Sequence, residues 1–410
     1  MHFDVFFSLS QTPVNGVLPS EAEMFANFFA EVEAADALGY GVAWIAESHL
    51  SSEVQKAHPR PVIPSWRGEV GLNADVFQLA HHVFRRTRRI EVGSAVMNLL
   101  VNGGPVAAAE RVAAFASLHG LDPDERRRLH VGFAAGRFEF MARAFGVVPR
   151  DAVEAAAWPA LKGKVFAEAS EIFLRLWRGD TLSSDDVPAP TLARADFRSD
   201  DDWQRVLEAA GKPATTARLT LARRYSFDVL KIVPQAWRRE LCVPVLGSHE
   251  PRLQEDVQRF LPVRVFNLSI TRPEIIDDTH RRMAAAFNPA GGPWRREYMP
   301  RTVMVFINEE PRLTPAERRA AALEESRAAL SAYWTALEGT LDPKKVEGAA
   351  ENAVIGDAEA VARQLAERFH PDDRLMLWFD FFNHDRARVI ADMEAFMTKA
   401  APLVQKLARR

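Results

Sequence analysis

The sequence predicts an α/β chain whose parallel strands close into a (β/α)8 TIM barrel with insertions. Three observations predict it. Short apolar strand segments alternate with helical segments from end to end, the order that builds a parallel sheet. About eight or nine such strands can be counted, and eight close a barrel. The first strand is followed by SQTPVNG and not by G-x-G-x-x-G, which argues against an open doubly wound sheet. With 410 residues, 48% of them hydrophobic, the chain can bury one such core, so residues 1–410 are read as a single barrel domain.

Each element follows from local pattern. Phe3–Leu9 (FDVFFSL) is aromatic and β-branched, a buried strand. Ser20 with Glu23 three residues on is a capping-box pattern, opening a helix that runs to Leu38 and stops at Gly39. Gly41–Ala46 is the second strand, with Glu47, Ser48 and His49 at its C-terminal end. Asn73–Arg86 is a helix and Ile90–Val96 the third strand. Pro105 opens the next helix, since a first turn tolerates proline best, and its alanines (Pro105–Leu118) would allow close approach of a partner. Leu129–Ala134 is the fourth strand, and Ala155–Arg178 a long helix with an apolar Trp and Leu face. Residues 180–225 are rich in Asp, Pro, Ala and Arg and read as an insertion, helical around Trp203–Ala210. It is either a lid over the site or inert decoration. Strands resume at Val229–Val233, Val243–Leu246, Val263–Leu268 and Val303–Ile307. Thr314–Leu337 and Asp357–Phe369 are helices, Leu375–Asp380 is a strand, and Asp385–Leu407 is the last helix.

Composition narrows the function. A formal charge of −3 argues against a general nucleic-acid binder, which needs a basic surface. The one cysteine, Cys242, excludes an internal disulfide and a multi-cysteine zinc site. No H-E-x-x-H, Walker loop or G-x-S-x-G is present, so no metal is assigned. Met1–Ser10 lacks a basic leader, and no apolar run nears the roughly 20 residues that span a bilayer. A cytoplasmic protein is expected. In a barrel the site lies at the C-terminal strand ends, which selects Ser8–Gln11, Glu47–His49, Met97–Asn98, Ala134–Ala135, Gly247–His249 and Asp380–Asn383.

Four phrases carry a family resemblance: EAADALGYGVAWIAESHL, VGSAVMNLLVNGGPVAAAERVA, LHVGFAAGRFEFMARAFGV and VIGDAEAVARQLAERF. Together they resemble the luciferase-like flavin monooxygenases, well over residues 1–178, fairly over 226–280 and 350–402, and not over 180–225. The resemblance implies a flavin-using barrel, often a dimer, that oxygenates with reduced FMN and O2 or transfers hydride with a deazaflavin. It implies a flavin ring against Ala95, Val96, Met97 and Asn98 on one side and Gly132, Phe133, Ala134 and Ala135 on the other, with Phe138 nearby. It also implies a non-proline cis peptide at Ala95–Val96 or a neighbouring bond. The chain departs from the luciferase pattern at three places. Ser48 replaces the first of paired histidines, Ala134 the reactive cysteine and Ala135 the phosphate-binding arginine. Light emission is therefore not expected, and the phosphate question moves to Gly247-Ser248-His249-Glu250-Pro251-Arg252. There Ser248, His249, Arg252 and a helix N-terminus could receive it.

His49 is the candidate proton shuttle, because its pKa range lies near working pH. Glu47 either orients it or pairs with a buried arginine, and Ser48 could donate a hydrogen bond. The Asn98 amide either meets the flavin's pyrimidine edge or caps a loop. Phe6, Phe7, Phe133, Phe138, Trp378 and Phe379 either wall a dry cavity or are simply core. Asp380, Asn383 and His384 either line the substrate side or cap the last helix. The expected activity is a two-component monooxygenase acting on a small or carrier-bound substrate. Reduced FMN would come from a separate flavin reductase, and a homodimer is expected. A deazaflavin-dependent hydride transferase and a non-catalytic flavin-binding protein are the alternatives.

Overall fold

The computed structural model describes residues 1–410 except 270, 337–349 and 408–410. The end of the helix expected over Thr314–Leu337 thus lies outside the described residues. The strands are β1 (His2–Phe7), β2 (Val42–Ile45), β3 (Glu91–Ser94), β4 (Met97–Asn98), β5 (Leu129–Ala134) and β6 (Thr191–Ala193). They continue with β7 (Arg218–Thr220), β8 (Cys242–Leu246), β9 (Arg264–Val265), β10 (Arg301–Ile307), β11 (Val354–Gly356) and β12 (Arg374–Trp378).

The strands β1, β2, β3, β5, β8 and β9 pair in parallel in chain order, and β12 joins β1 to β10. The seam between β9 and β10 carries a parallel bridge at Asn267–Arg301. The Asn267 N–H donates to Pro300 O (2.9 Å), and the Thr302 N–H donates to Asn267 O (3.2 Å). This is a (β/α)8 TIM barrel. Every residue of β5 is buried, as expected of a strand covered on both faces. The short β4 continues β3 past a cis Ala95–Val96 peptide and pairs with β5.

The capping box at Ser20 is complete. Glu23 N–H donates to Ser20 Oγ (3.2 Å), and Ser20 N–H donates to Glu23 Oε2 (2.8 Å). Ser20→Ala is expected to cost about 1 kcal/mol, read as a lower urea midpoint at unchanged m; an unchanged midpoint would show the cap to be dispensable. Of the alanines of helix Gly104–His119, Ala108, Ala109, Ala113 and Ala116 are buried, Ala107 is half-buried and Ala114 is exposed, and the helix packs against the chain's own long helix Ala152–Arg178.

Three features differ from expectation. Val229–Val233 is not a strand: Val229 and Val233 are exposed, and only an isolated Leu182–Leu230 bridge forms there. Its β-branched residues have no neighbouring strands to pack on. Residues 180–225 carry a two-stranded antiparallel β6–β7 sheet as well as the anticipated helix, Asp200–Ala209, which lies between the two strands in sequence and packs on Ala152–Arg178. Helix Pro273–Ala286 was not anticipated, because only Ile276, Thr279 and Met283 form its buried stripe. Among the described residues, no helix is long and apolar enough to cross a membrane.

Candidate functional site at the barrel mouth

Strand alternation decides which side chains face the barrel axis. Phe6, Val42, Trp44, Val245, Phe266 and Met376 form the interior cluster, and Ala46, Ala95, Val96 and Trp378 pack on its upper side. Ala95 and Val96, joined by the cis bond, both pack against this cluster. Small residues then keep the mouth open. A Cβ on Gly132 would lie 2.0 Å from Ser94 O, and one on Gly247 would lie 3.2 Å from Ala134 Cβ and 3.3 Å from Val96 Cγ2. Phe6 and Trp378 meet at 4.7 Å between ring centroids.

Not every expected wall residue is there. Met97 and Phe133 are buried in the outer core between barrel and helices, where Phe133 meets the ring of Phe173 at 5.3 Å. They alternate with the inward positions, so they support the mouth from behind. Phe7 and Phe379 also lie in the outer core. Phe138 packs with Ile63, Trp66, Val101 and Met141 in a separate cluster.

Asn98 Oδ1 accepts the Leu100 N–H at 2.9 Å, which is the loop-capping role. Its Nδ2 is buried without an acceptor. The next turn is shaped around it: Gly136 has φ +78°, and a Cβ there would lie 2.1 Å from Nδ2. One half of this amide is therefore structural, and the other half is an unused donor.

Glu47 and His49 are brought together with nearly fully buried side chains. His49 Nε2 lies 3.2 Å from Glu47 Oε1, at ion-pair distance but outside hydrogen-bond geometry. Glu47 Oε2 accepts the Val76 N–H at the start of helix Val76–Arg86 (3.1 Å). Ser48 turns elsewhere, with Oγ 3.8 Å from Met141 Sδ. Among the described residues, no hydrogen bond joins these three to Ala95–Asn98.

The expected anion cradle after β8 is altered. Glu250 is the N-cap of helix Pro251–Asp256, and its carboxylate accepts from the N–H groups of Arg252 and Leu253. The backbone donors that would bind a phosphate are already taken by an anion of the chain itself. Ser248 Oγ accepts the Glu250 N–H (3.2 Å). His249 is exposed, 3.4 Å from Thr271 Oγ1. Arg252 is 82% exposed and 3.7 Å from Asp256.

What the sequence did not reveal is a cavity of about 750 Å3 beside the ends of β5 and β8, lined among others by Ala135, Arg137, Lys162, Lys164, Ser248 and Arg252. Lys164 pairs with Asp196 at 2.9 Å, so the 180–225 stretch contributes part of this wall. The available signal was KGK near the top of a helix otherwise read as apolar. At the last helix, Asp385 is the N-cap, accepting from Ala387 and Arg388 N–H groups. Asn383 accepts the Asp385 N–H, and His384 Nε2 lies 2.9 Å from Thr12 O. Asp380 instead faces Ser8 (2.8 Å from its N–H). Among the described residues, no group of three or more His, Cys, Asp or Glu is arranged to hold a metal.

A family model described as luciferase-like monooxygenase matches residues 1–222, running on into the stretch where the sequence motifs carry no resemblance. No curated protein matches. Solved structures share the fold. The monooxygenase RslO1 from Streptomyces bottropensis is 17% identical with TM-score 0.65, covering 98% of this chain and 99% of that one. The oxygenating constituent of 3,6-diketocamphane monooxygenase from Pseudomonas putida, in complex with FMN, is 12% identical with TM-score 0.57, covering 98% of each chain. An F420-dependent secondary alcohol dehydrogenase in complex with an F420-acetone adduct is 14% identical with TM-score 0.52, again over 98% of each.

Proposed function

The chain belongs to the luciferase-like monooxygenase family, and from that premise we propose that it binds reduced FMN at the barrel mouth and directs O2 onto a small or carrier-bound organic substrate. The flavin would be reduced by a separate reductase. The observation that carries this reading is the mouth itself: an inward-turned cis Ala95–Val96, small residues at Ala134 and Gly247, and an unused buried donor at Asn98 Nδ2. These fit a flat ring that presents hydrogen-bond acceptors at one edge.

Reduced flavin, when bound, supplies two electrons to O2. The residues of this chain do the rest. Ala95, Val96 and Ala134 leave room for the ring, and Asn98 Nδ2 donates to its edge. Phe6 and Trp378 exclude water from the interior side, which protects reactive species from hydrolysis. His49, buried against Glu47, holds or moves a proton at Nε2, with Ser48 as an accessory donor. The phosphate falls to side chains: Lys164, Arg137 and Ser248 around the 750 Å3 cavity, with Arg252 at its rim. Residues 180–225 form part of a lid there, since Asp196 must share Lys164 with the phosphate. The protein is cytoplasmic and homodimeric in this reading.

A titration with oxidised and reduced FMN, read by fluorescence and oxygen uptake, tests it. Binding of reduced FMN with rapid O2 consumption is expected. Binding of neither form sinks the proposal. Hydride transfer to a deazaflavin without O2 uptake would establish the hydride transferase, as in the F420-dependent neighbour. Tight FMN binding without turnover on a broad substrate panel would leave a binding protein. Lys164→Ala is expected to weaken FMN about tenfold and leave riboflavin, which lacks the phosphate, unchanged. Equal loss for both would place the phosphate elsewhere.

A further inference from the structure

Two carboxylates meet behind the mouth, and neither is used by the function above. Glu31 lies on the buried face of helix Glu21–Leu38 and is 4% exposed. It faces Asp380, which follows β12, across a small polar cavity of about 20 Å3 also lined by Asn27, Asn383 and His384. That is about the size of one water molecule. Asp380 accepts the Ser8 N–H (2.8 Å) and the Ser8 Oγ–H (3.1 Å) at the end of β1. Ser8 Oγ in turn accepts the Trp378 indole N–H at 2.7 Å. The Trp378 ring packs on Phe6 in the cluster that also seats Ala95 and Val96. A chain of hydrogen bonds and ring contacts therefore runs from Asp380, at the cavity it shares with Glu31, to the barrel mouth.

We propose that Glu31 and Asp380 share one proton and that, through Ser8, the place of that proton sets the seating of the Trp378 indole at the barrel mouth. Glu31, Asp380 and Ser8 are positioning residues in this scheme, acting through Trp378; it rests on the flavin reading only for its effect on cofactor binding. Buried Glu31 and half-buried Asp380, lining one cavity of this size, cannot both hold a negative charge cheaply. Burial pushes Glu31 up to about 8, with the charge of Asp380 adding to it and Arg386 opposing it. Burial also pushes Asp380 up to about 6, against the Ser8 and Trp378 hydrogen bonds. The other titratable side chain at the cavity, His384, is pushed down by burial, against its hydrogen bond to Thr12. Between these two values Asp380 is ionised and grips Ser8, while Glu31 keeps the proton. Below them Asp380 is neutral and its grip weakens; above them a second charge enters the cavity. The two steps belong to the pair as a whole.

The test is the pH dependence of the Trp378 indole N–H signal in nitrogen-15 tryptophan-labelled protein without flavin, assigned with Trp378→Phe. Two steps are expected between pH 5 and 9, near 6 and near 8. Glu31→Gln should remove the upper step and keep the lower one, and Ser8→Ala should flatten both at Trp378. Asp380→Asn should also abolish the lower step; if that variant does not fold, Glu31→Gln and Ser8→Ala decide. A signal that does not move with pH, or an upper step that survives in Glu31→Gln, overturns the proposal. FMN affinity is expected to fall about fivefold on either side of the window, the worth of one hydrogen bond. If the indole titrates but FMN never binds, the flavin reading fails and the pair stands. If FMN binds and the indole does not titrate, the pair fails alone.

Discussion

Asp4→Ala is expected to remove about 3–5 kcal/mol of folding stability, the cost of breaking a buried ion pair by deleting one partner. Asp4 is fully buried inside the barrel. Its Oδ1 accepts from Arg374 Nη1 (2.9 Å) and the Val42 N–H (3.1 Å), and its Oδ2 accepts the Trp44 indole N–H (2.8 Å). The substitution leaves a guanidinium, an indole and a backbone N–H unpaired in a place water reaches poorly. The measurement is urea unfolding, or soluble yield if the variant does not fold. Asp4→Asn keeps the shape and some of the hydrogen bonds, so it should lose less. A loss below about 1 kcal/mol for Asp4→Ala would mean that the barrel floor tolerates open donors.

The same layer gives the fold an acid limit. Burial pushes His130 down to about 4, below its ordinary 6.5, despite its 2.6 Å contact with Glu91. The unfolded chain then takes up this proton first, so stability falls as pH drops from about 6.5 toward 4. Glu31 works in the opposite direction. Its raised folded pKa contributes stability that is fully present below its ordinary 4.5 and is lost as pH rises through about 8. Urea midpoints across pH 4–9 should therefore fall at both ends. The alkaline fall should shrink in Glu31→Gln, and an unchanged alkaline limb would contradict the assignment.

Gly132→Ala is the second large effect, expected at about 3 kcal/mol or more. The added Cβ would stand 2.0 Å from Ser94 O and 2.8 Å from Val96 Cγ1. The first of these is backbone, which cannot rotate away, so the end of β3 must separate from β5. Because that end leads into Ala95–Val96, FMN binding should be lost along with stability. Gly163→Ala is the matching control. It lies inside a helix with nothing within 4 Å of the added Cβ, and should stabilise by up to about 1 kcal/mol. If the two variants unfold alike, close approach at Gly132 is not what fixes that glycine.

The barrel was legible because its strands are covered on both faces. Burial on both faces leaves continuous apolar runs such as Leu129–Ala134, and these survive as pattern without any knowledge of neighbours. Helix ends were legible for a similar reason: Ser20–Glu23 and Gly39 act on their own backbone. Val229–Val233 shows the limit. It has strand composition, but β-branched residues make a strand only where other strands flank them. The small residues at Ala95, Gly132 and Ala134 were legible as a pocket frame. Their neighbours Met97 and Phe133 alternate with the inward positions and lie in the outer core, so the resemblance overextended the pocket wall to them.

The sequence by itself determined the order of strands and helices, which follows from local periodicity and from single capping residues. Its resemblance to the luciferase-like family implied the cis bond at the end of the third strand and the alanines at Ala134 and Ala135 in place of a luciferase's cysteine and arginine. Only the tertiary structure decided that Lys164 and Asp196 wall the cavity and that Glu31 faces Asp380. Those facts join residues from about 30 to about 350 positions apart, and no local pattern encodes such meetings. They arise when the barrel closes and brings distant strand ends to one mouth.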